Sequence, residues 1–333
     1  MAPGSPLRFA ARDDDLAEGS LLVNDPQLMA PLAALHGQKP PAPAWFAQAI
    51  AEEPERTFIE FEGANVEILA WGERGRPGLM FLHGGAAHAD WWSFIAPFFA
   101  RGYRVVAPTF TGMGRSGWRE RYLFEQFLRE ARQAGRAAGA FDGGKPIVVG
   151  HSFGGRAAMG LSRDYGPELK GAVMVDPPFF APQNLRPPSP PRPSRARRVQ
   201  HSLAAIVARF RLMPPQGCEN PFILDHIARR SVCAAVDEDG RPGVALCFDP
   251  HFWEKFTRID PVPIVSAAHC PLALIRGAKS QLFKADDANY LLSLIAPGSP
   301  HVEIPEAEHH VMIDQPLAFV AALRGLLAAW PEA

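Results

Sequence analysis

From Thr57 onward the chain alternates between two apolar patterns. Short apolar stretches, TFIEF, NVEILAW, GLMFLHGG, YRVVAP, PIVVGHSFGG, GAVMVDPP, PLALIRG and HVEIP, are each bounded by glycine, proline or polar residues. This is the pattern of strands punctuated by turns. TFIEF and NVEILAW alternate apolar with polar positions, as half-exposed strands do. GLMFL and GAVMV are continuous apolar runs, which predict strands covered on both faces in a mainly parallel sheet. Between the strands lie segments of helical length or spacing at Trp91–Arg101, Phe124–Ala140, Arg156–Arg163, Asp286–Leu294 and Pro316–Trp330. Such alternation predicts an α/β fold, a parallel sheet with helices on both faces and sites at the carboxyl ends of its strands.

The alternation fails in two places. Residues 1–55 hold only short helical patterns, Leu28–Leu35 and Trp45–Ile50, separated by the prolines at 40–43, and are read as an N-terminal extension. A second interruption, residues 179–267, splits the repeating pattern into core segments 56–178 and 268–333. Proline, at 34 residues, is about twice as frequent as usual and clusters at Pro40–Pro43 and Pro187–Pro193. Seven arginines fall between Arg186 and Arg211 with no acid from Asp176 to Glu219. They form either a solvated stretch or a local field for an anionic substrate or an acidic carrier protein.

Composition narrows the function. The 333 residues are 47% hydrophobic and 21% charged, and no apolar run reaches the ~18 residues of a membrane span. A net charge of -1 supplies no field for a phosphate backbone, so neither nucleic acid nor membrane is an expected partner. The amino terminus lacks the basic start and apolar stretch of a secretion signal, which points to the cytoplasm. Four cysteines without C-x-x-C spacing form neither a disulfide framework nor a zinc site, and no metal is expected.

The strongest chemical signal is Gly150-His151-Ser152-Phe153-Gly154, where a strand pattern ends and a helix pattern begins. A nucleophile on such a turn needs flanking glycines, and its hydroxyl stands at a helix N-terminus that favours a developing oxyanion. Serine needs a base and a group to orient that base. The base candidates are His309 and His310, just past HVEIP, with His309 preferred and His310 a pocket neighbour. The acid candidates are Asp176, at the end of GAVMVDPP, and Asp286 or Asp287, which also suit a helix first turn. Asp176 is preferred, because the loop after PLALIRG carries Ser280 where a carboxylate would be expected. His83-Gly84-Gly85-Ala86 ends another strand, so the amides of Gly85 and Phe153 are the expected oxyanion donors. His83 is expected to hydrogen-bond this loop, and His88 has no assigned role.

HGG, TGMGRSG, GHSFGG and EHHVMIDQP, in this order over roughly residues 57–330, closely resemble the α/β-hydrolase fold superfamily, in its capped serine esterase-like branch. The spacing of seven residues from His309 to Pro316 fits the pattern, with Glu308 where relatives carry glycine. Placing the acid at Asp176 resembles a minority arrangement in which it lies one strand earlier. The resemblance implies a helical cap over residues 179–267, between the strand ending at Asp176 and that starting at Pro271. Trp91, Trp92, Phe179, Phe180 and His310 are expected to line the substrate pocket. It further implies a cofactor-free serine esterase with a Ser152–His309–Asp176 triad. A small apolar or aromatic ester is the expected substrate, and a second copy of the chain is a candidate partner, as a homodimer. A serine nucleophile excludes the dehalogenase and epoxide hydrolase chemistries. Carbon-carbon hydrolysis, lactonase, amidase or perhydrolase action, or ligand binding without turnover, remain as alternatives.

Overall fold

A computed structural model describes residues 26–185 and 197–330. The chain opens with α1 (Pro26–Met29) and α2 (Ala44–Ala51), then the antiparallel hairpin β1 (Glu55–Phe61) and β2 (Ala64–Trp71). The repeating core follows as β3 (Gly78–Leu82), β4 (Arg104–Pro108), α3 (Phe124–Ala137), β5 (Ile147–His151), α4 (Phe153–Tyr165) and β6 (Gly171–Val175). After the insertion come β9 (Leu272–Gly277), α9 (Ala285–Ser293), β10 (His301–Ile304), α10 (Val311–Asp314) and α11 (Pro316–Ala328). The strands form one eight-stranded sheet in the order β1-β2-β4-β3-β5-β6-β9-β10. β2 pairs with β4 antiparallel, and every pairing from β4 to β10 is parallel.

Continuous apolar strands mean that both faces of this sheet are covered. Leu79, Phe81, Val149, Val175 and Ile275 face one core with Trp92, Phe94 and the α11 residues Phe319 and Leu323. Met80, Leu82, Val148, Met174 and Leu274 face the other with Phe124 and Phe127 of α3, Ala157 and Leu161 of α4 and Leu291 of α9. Successive residues of one strand thus serve opposite cores, each large side chain contributing about 1.5–3 kcal/mol.

Two expectations change. The Trp91–Arg101 segment is not one α-helix but two 3-10 turns, Ala89–Trp92 and Ala96–Phe98. Pro97 removes an amide donor and disfavours helical backbone at the residue before it. The insertion contains the helices α5 (Leu203–Ala208), α6 (Pro221–Arg230), α7 (Phe252–Lys255) and α8 (Pro261–Ser266), as implied. It also contains an antiparallel hairpin, β7 (Val232–Val236) with β8 (Pro242–Leu246). The N-terminal extension packs on the insertion: Phe46 of α2 places its ring 4.9 Å from that of Phe222 of α6, and Arg229 donates to the Gly37 carbonyl at 2.7 Å. Of the arginine-rich stretch, Arg186, Arg192 and Arg195 lie outside the described residues. Among the described residues no helix is long and apolar enough to cross a membrane.

The turn from β5 into α4 tolerates no side chain at Gly150, where a Cβ would sit 1.9 Å from the Gly154 carbonyl oxygen, a backbone atom with no room to yield. Gly150→Ala is therefore expected to destabilise the fold by about 3 kcal/mol or more. Gly325→Ala, in the exposed middle of α11 where an added methyl meets nothing within 4 Å, is expected to stabilise it by about 0.5–1 kcal/mol. Denaturant unfolding of the two variants checks both signs.

Candidate active site

Ser152 follows β5 and precedes the first residue of α4, with φ 53° and ψ -117°. Such a backbone costs about 1–3 kcal/mol in a non-glycine residue and persists only where its surroundings hold it. Here the Ser152 amide donates to the Val175 carbonyl at 2.9 Å, while Gly155 and Arg156 donate back to the Ser152 carbonyl at 2.8 and 3.2 Å. A Cβ at Gly154 would lie 2.3 Å from the Leu82 carbonyl oxygen, so the turn also presses against the end of β3.

The structure brings the three sequence candidates together. The Ser152 hydroxyl donates to His309 Nε2 at 3.0 Å, and His309 Nδ1–H donates to Asp176 Oδ2 at 2.8 Å. A carboxylate can only accept, so this pairing assigns the Nδ1–H tautomer and leaves the Nε2 lone pair toward Ser152. Asp176 is fully buried at the end of β6, also with a positive φ, 44°. It accepts the Gly277 amide at 3.0 Å on Oδ1 and the Ser280 hydroxyl at 2.6 Å on Oδ2. Burial pushes its carboxyl up to about 7, against the lowering effect of the Ser280 and Gly277 hydrogen bonds.

Ser280 therefore answers the puzzle of the missing acid: it stands in the loop after β9 and donates to the carboxylate supplied by β6. Its role was missed because serine at an expected acid position reads as a loss. Asp287 is occupied elsewhere, accepting the Ala181 amide at 2.7 Å, the Asn184 side chain at 2.8 Å and the Lys284 amide at 3.1 Å. It caps α9 and ties down the start of the insertion, and Asp286 lies beside it in the same first turn.

The loop carrying His309 is gripped from several sides. His151 Nε2–H donates to the His309 carbonyl at 2.9 Å, and the His310 amide donates to Gln216 Oε1 at 3.0 Å. Gln216 Nε2 in turn donates to Asp314 at 2.8 and 2.9 Å, and Asp314 accepts the Glu308 amide at 2.8 Å. Burial pushes the Asp314 carboxyl up to about 7. Gln216 and Asn220, both from the insertion, were not singled out by sequence, since an amide side chain in a loop carries no motif.

Around the serine, Gly85 lies against Phe153 and the inserted segment. A Cβ built on it would be 4.0 Å from Phe153 Cβ and 3.0 Å from the Trp253 ring. The Phe153 ring sits 5.5–6.4 Å from those of Trp253, Phe252 and Phe256 in edge-on contacts, so α7 and the residue after it lie over the start of α4. His83 accepts the Phe110 amide on Nε2 at 2.9 Å and donates from Nδ1 to the Gly84 carbonyl at 2.8 Å, as expected of a loop anchor. His88 binds the Ser231 hydroxyl at 2.8 Å, joining the loop after β3 to the insertion.

The expected pocket residues divide. The rings of Trp91 and His310 are 5.6 Å apart beside the histidine cluster. Trp92 is instead stacked on Phe81 at 4.7 Å and faces Phe319, which makes it core. Successive positions of a 3-10 turn point about 120° apart. Phe179 is likewise fully buried, against Tyr290, and Phe180 is partly exposed next to it.

The chain is 25% identical over 294 residues to a 2-hydroxy-6-oxo-6-(2'-aminophenyl)hexa-2,4-dienoic acid hydrolase of Metapseudomonas resinovorans, covering 85% of this chain and 95% of that one. It is 27% identical over 295 residues to an esterase of Mycobacterium tuberculosis, covering 84% and 92%. Among solved structures, the thioesterase domain from the curacin biosynthetic pathway superposes with a TM-score of 0.66 at 20% identity, covering 81% of this chain and 99% of that domain. The model of the alpha/beta hydrolase family matches residues 79–323, and with the sheet order and the strand-to-helix turn at Ser152 this places the chain in the alpha/beta hydrolase family.

Proposed function

We propose that the protein is a serine hydrolase that cleaves carboxylic esters through an acyl-enzyme. The observation that carries this reading is the continuous hydrogen-bonded line from the Ser152 hydroxyl through His309 to the buried Asp176 carboxylate, at 3.0 and 2.8 Å. His309 takes the serine proton as Oγ attacks the ester carbonyl, then returns it to the departing alcohol. Asp176 holds the ring in the correct tautomer and stabilises the imidazolium that forms. The carbonyl oxygen, becoming an oxyanion, rests on the amides of Gly85 and Phe153, aided by the N-terminal field of α4. Water activated by His309 then releases the acid.

The half-buried Trp253 and the aromatic residues beside it favour an apolar or aromatic acyl or alcohol group. A second reading keeps the same triad for hydrolysis of a carbon-carbon bond next to a ketone. It is supported by the dienoic acid hydrolase relative, 95% of which aligns with this chain.

A fluorophosphonate probe is expected to label Ser152 stoichiometrically, and p-nitrophenyl esters of graded acyl length to be turned over. Folded protein that neither labels nor hydrolyses any ester or any 2-hydroxy-6-oxo-dienoate would sink both readings. Asp176→Asn is expected to lower turnover by about three to four orders of magnitude. Its effect on stability depends on pH. A carboxyl raised to about 7 in the folded state, from about 3.9 unfolded, costs stability as pH climbs between those values. The variant's melting temperature relative to the parent should thus rise from pH 4 to pH 7.5. Ser280→Ala removes a donor that lowers this carboxyl, so the proton is held more tightly. The acid limb of kcat/KM is then expected to move to higher pH, an outcome that a pH-rate profile reads directly.

A further inference from the structure

Two of the four cysteines meet where the insertion joins the core. Cys233 lies on β7 opposite Ala245 of β8, so Cys247, two residues further along that side, is its diagonal neighbour on the same face. The pairing continues to it, because the Cys247 amide donates to the Ser231 carbonyl at 2.8 Å. Phe248, the next residue, pairs with Met113 of the loop after β4. Cys233 is partly exposed and Cys247 is buried.

We propose that Cys233 is a site of oxidation by hydroperoxides and that Cys247 is its resolving thiol, the two closing a disulfide across the end of the β7–β8 hairpin. This site is separate from the Ser152 chemistry and does not rest on the hydrolase reading.

The charge placed on the Cys233 sulfur carries the argument. Arg197 Nη2 donates to Cys233 Sγ at 2.8 Å and to the Leu246 carbonyl at 3.3 Å, and its guanidinium lies 5.3 Å from the centre of the Trp118 ring. Its Nε is buried without a partner, and among the described residues no carboxylate pairs with it. The cation is therefore directed at sulfur. A thiolate there has three favourable neighbours: the Cys247 thiol as a hydrogen-bond donor, Arg197 and the more distant Arg115. The neutral thiol donates only to the Ala245 carbonyl, at 3.7 Å, a weak bond to give up. The Cys247 hydrogen bond and Arg197 bring the Cys233 thiol down to about 6 against the effect of burial, while the same hydrogen bond and burial push Cys247 up. Burial pushes Cys218 and Cys270 up as well, to about 12 and about 11. Electropositive, partly exposed surroundings are those of reactive cysteines, and Cys233 alone among the four has them.

The chemistry balances with a hydroperoxide as oxidant. The Cys233 thiolate attacks one peroxide oxygen and the O–O bond breaks. The other oxygen leaves as alkoxide or hydroxide and takes a proton from water, so the peroxide is reduced while the sulfur becomes a sulfenic acid. The Cys247 sulfur then attacks the sulfenic sulfur, the S–O bond breaks, the hydroxyl departs as water with the Cys247 proton, and the S–S bond forms. Diagonal neighbours on an antiparallel pair stand about 7–8 Å apart and a disulfide needs about 7 Å or less. A small movement of Cys247, which lies past the last residue of β8, closes that difference.

The test uses the full-length reduced protein and reads peptide masses. At pH 7 with limiting iodoacetamide, Cys233 is expected to be alkylated at least about tenfold faster than Cys218 or Cys270. Hydrogen peroxide is expected to join the peptides of Cys233 and Cys247 with the loss of two hydrogens, reversed by dithiothreitol. In Cys247→Ser with dimedone present, Cys233 is expected to carry the sulfenic acid adduct instead. Arg197→Gln, checked for folding by its melting temperature, is expected to move the midpoint of the Cys233 alkylation profile up by about one pH unit. Alkylation of Cys233 no faster than of Cys218 and Cys270, or peroxide treatment that leaves Cys233 reduced, would overturn the site. Both are read on the unsubstituted protein, so a variant that fails to fold leaves the test intact. Dimedone capture on Cys233 of that protein without any cross-link would overturn the resolving role of Cys247, and an unmoved midpoint in folded Arg197→Gln the role of the arginine.

Discussion

The arrangement depends on burying one carboxylate. Asp176 is completely removed from water, and an unpaired charge in that position would cost several kcal/mol. It is tolerated because three donors converge on it: the Gly277 amide at the end of β9, the Ser280 hydroxyl in the next loop and His309 beyond β10. Parallel register makes this convergence automatic. Val175 pairs with His151 on one side and Ile275 on the other, so Ser152 and Asp176, each one residue past its strand, and Gly277, the last residue of β9, emerge at the same edge. The line from Ser152 to His309 to Asp176 is thus a consequence of three adjacent strands ending at one edge, with His309 brought in by one more crossover.

Much of this was legible in the chain because burial on both faces writes continuous apolar runs into strands, and a polar residue ending such a run needs a reason to be there. Ser152 and Asp176 were visible on those grounds. Other features were not. The hairpin of β7 and β8 is built from VCAAV and PGVAL, too short and too alanine-rich to stand out from a helical insertion. Trp91 and Trp92 are adjacent and chemically identical, yet one borders the histidine cluster and the other is core, a distinction made only by the twist of a 3-10 turn. Ser280 and Gln216 act across about 100 residues of sequence through single hydrogen bonds, which leave no local pattern.

The insertion is bonded into the site as well as lying over it. Gln216 and Asn220 hold the segment from His310 to Asp314, and Trp253 closes on Gly85. Tyr122, on the core side, donates to Asp249 at 2.8 Å, and Asp249 also pairs with Lys255 of α7. The roof and the base therefore share a hydrogen-bond network, so displacement of residues 213–220 would disturb His309 itself.

The location of the acid follows from the same economy of donors. Position 280 and position 176 converge on one point, the oxygen that receives His309 Nδ1–H, and the two side chains are joined there by a 2.6 Å hydrogen bond. A carboxylate could reach the imidazole from either backbone. From Asp176, however, its second oxygen also meets the Gly277 amide, a donor fixed by the sheet itself, while Ser280 is left free to satisfy the first. With the residue types exchanged, the short serine at 176 would reach the carboxylate but leave the Gly277 amide without that oxygen. The arrangement seen here gives the buried charge a backbone donor, a hydroxyl and an imidazole at once. The serine that looks like a lost acid is thus part of what holds the Asp176 carboxyl down against the effect of burial.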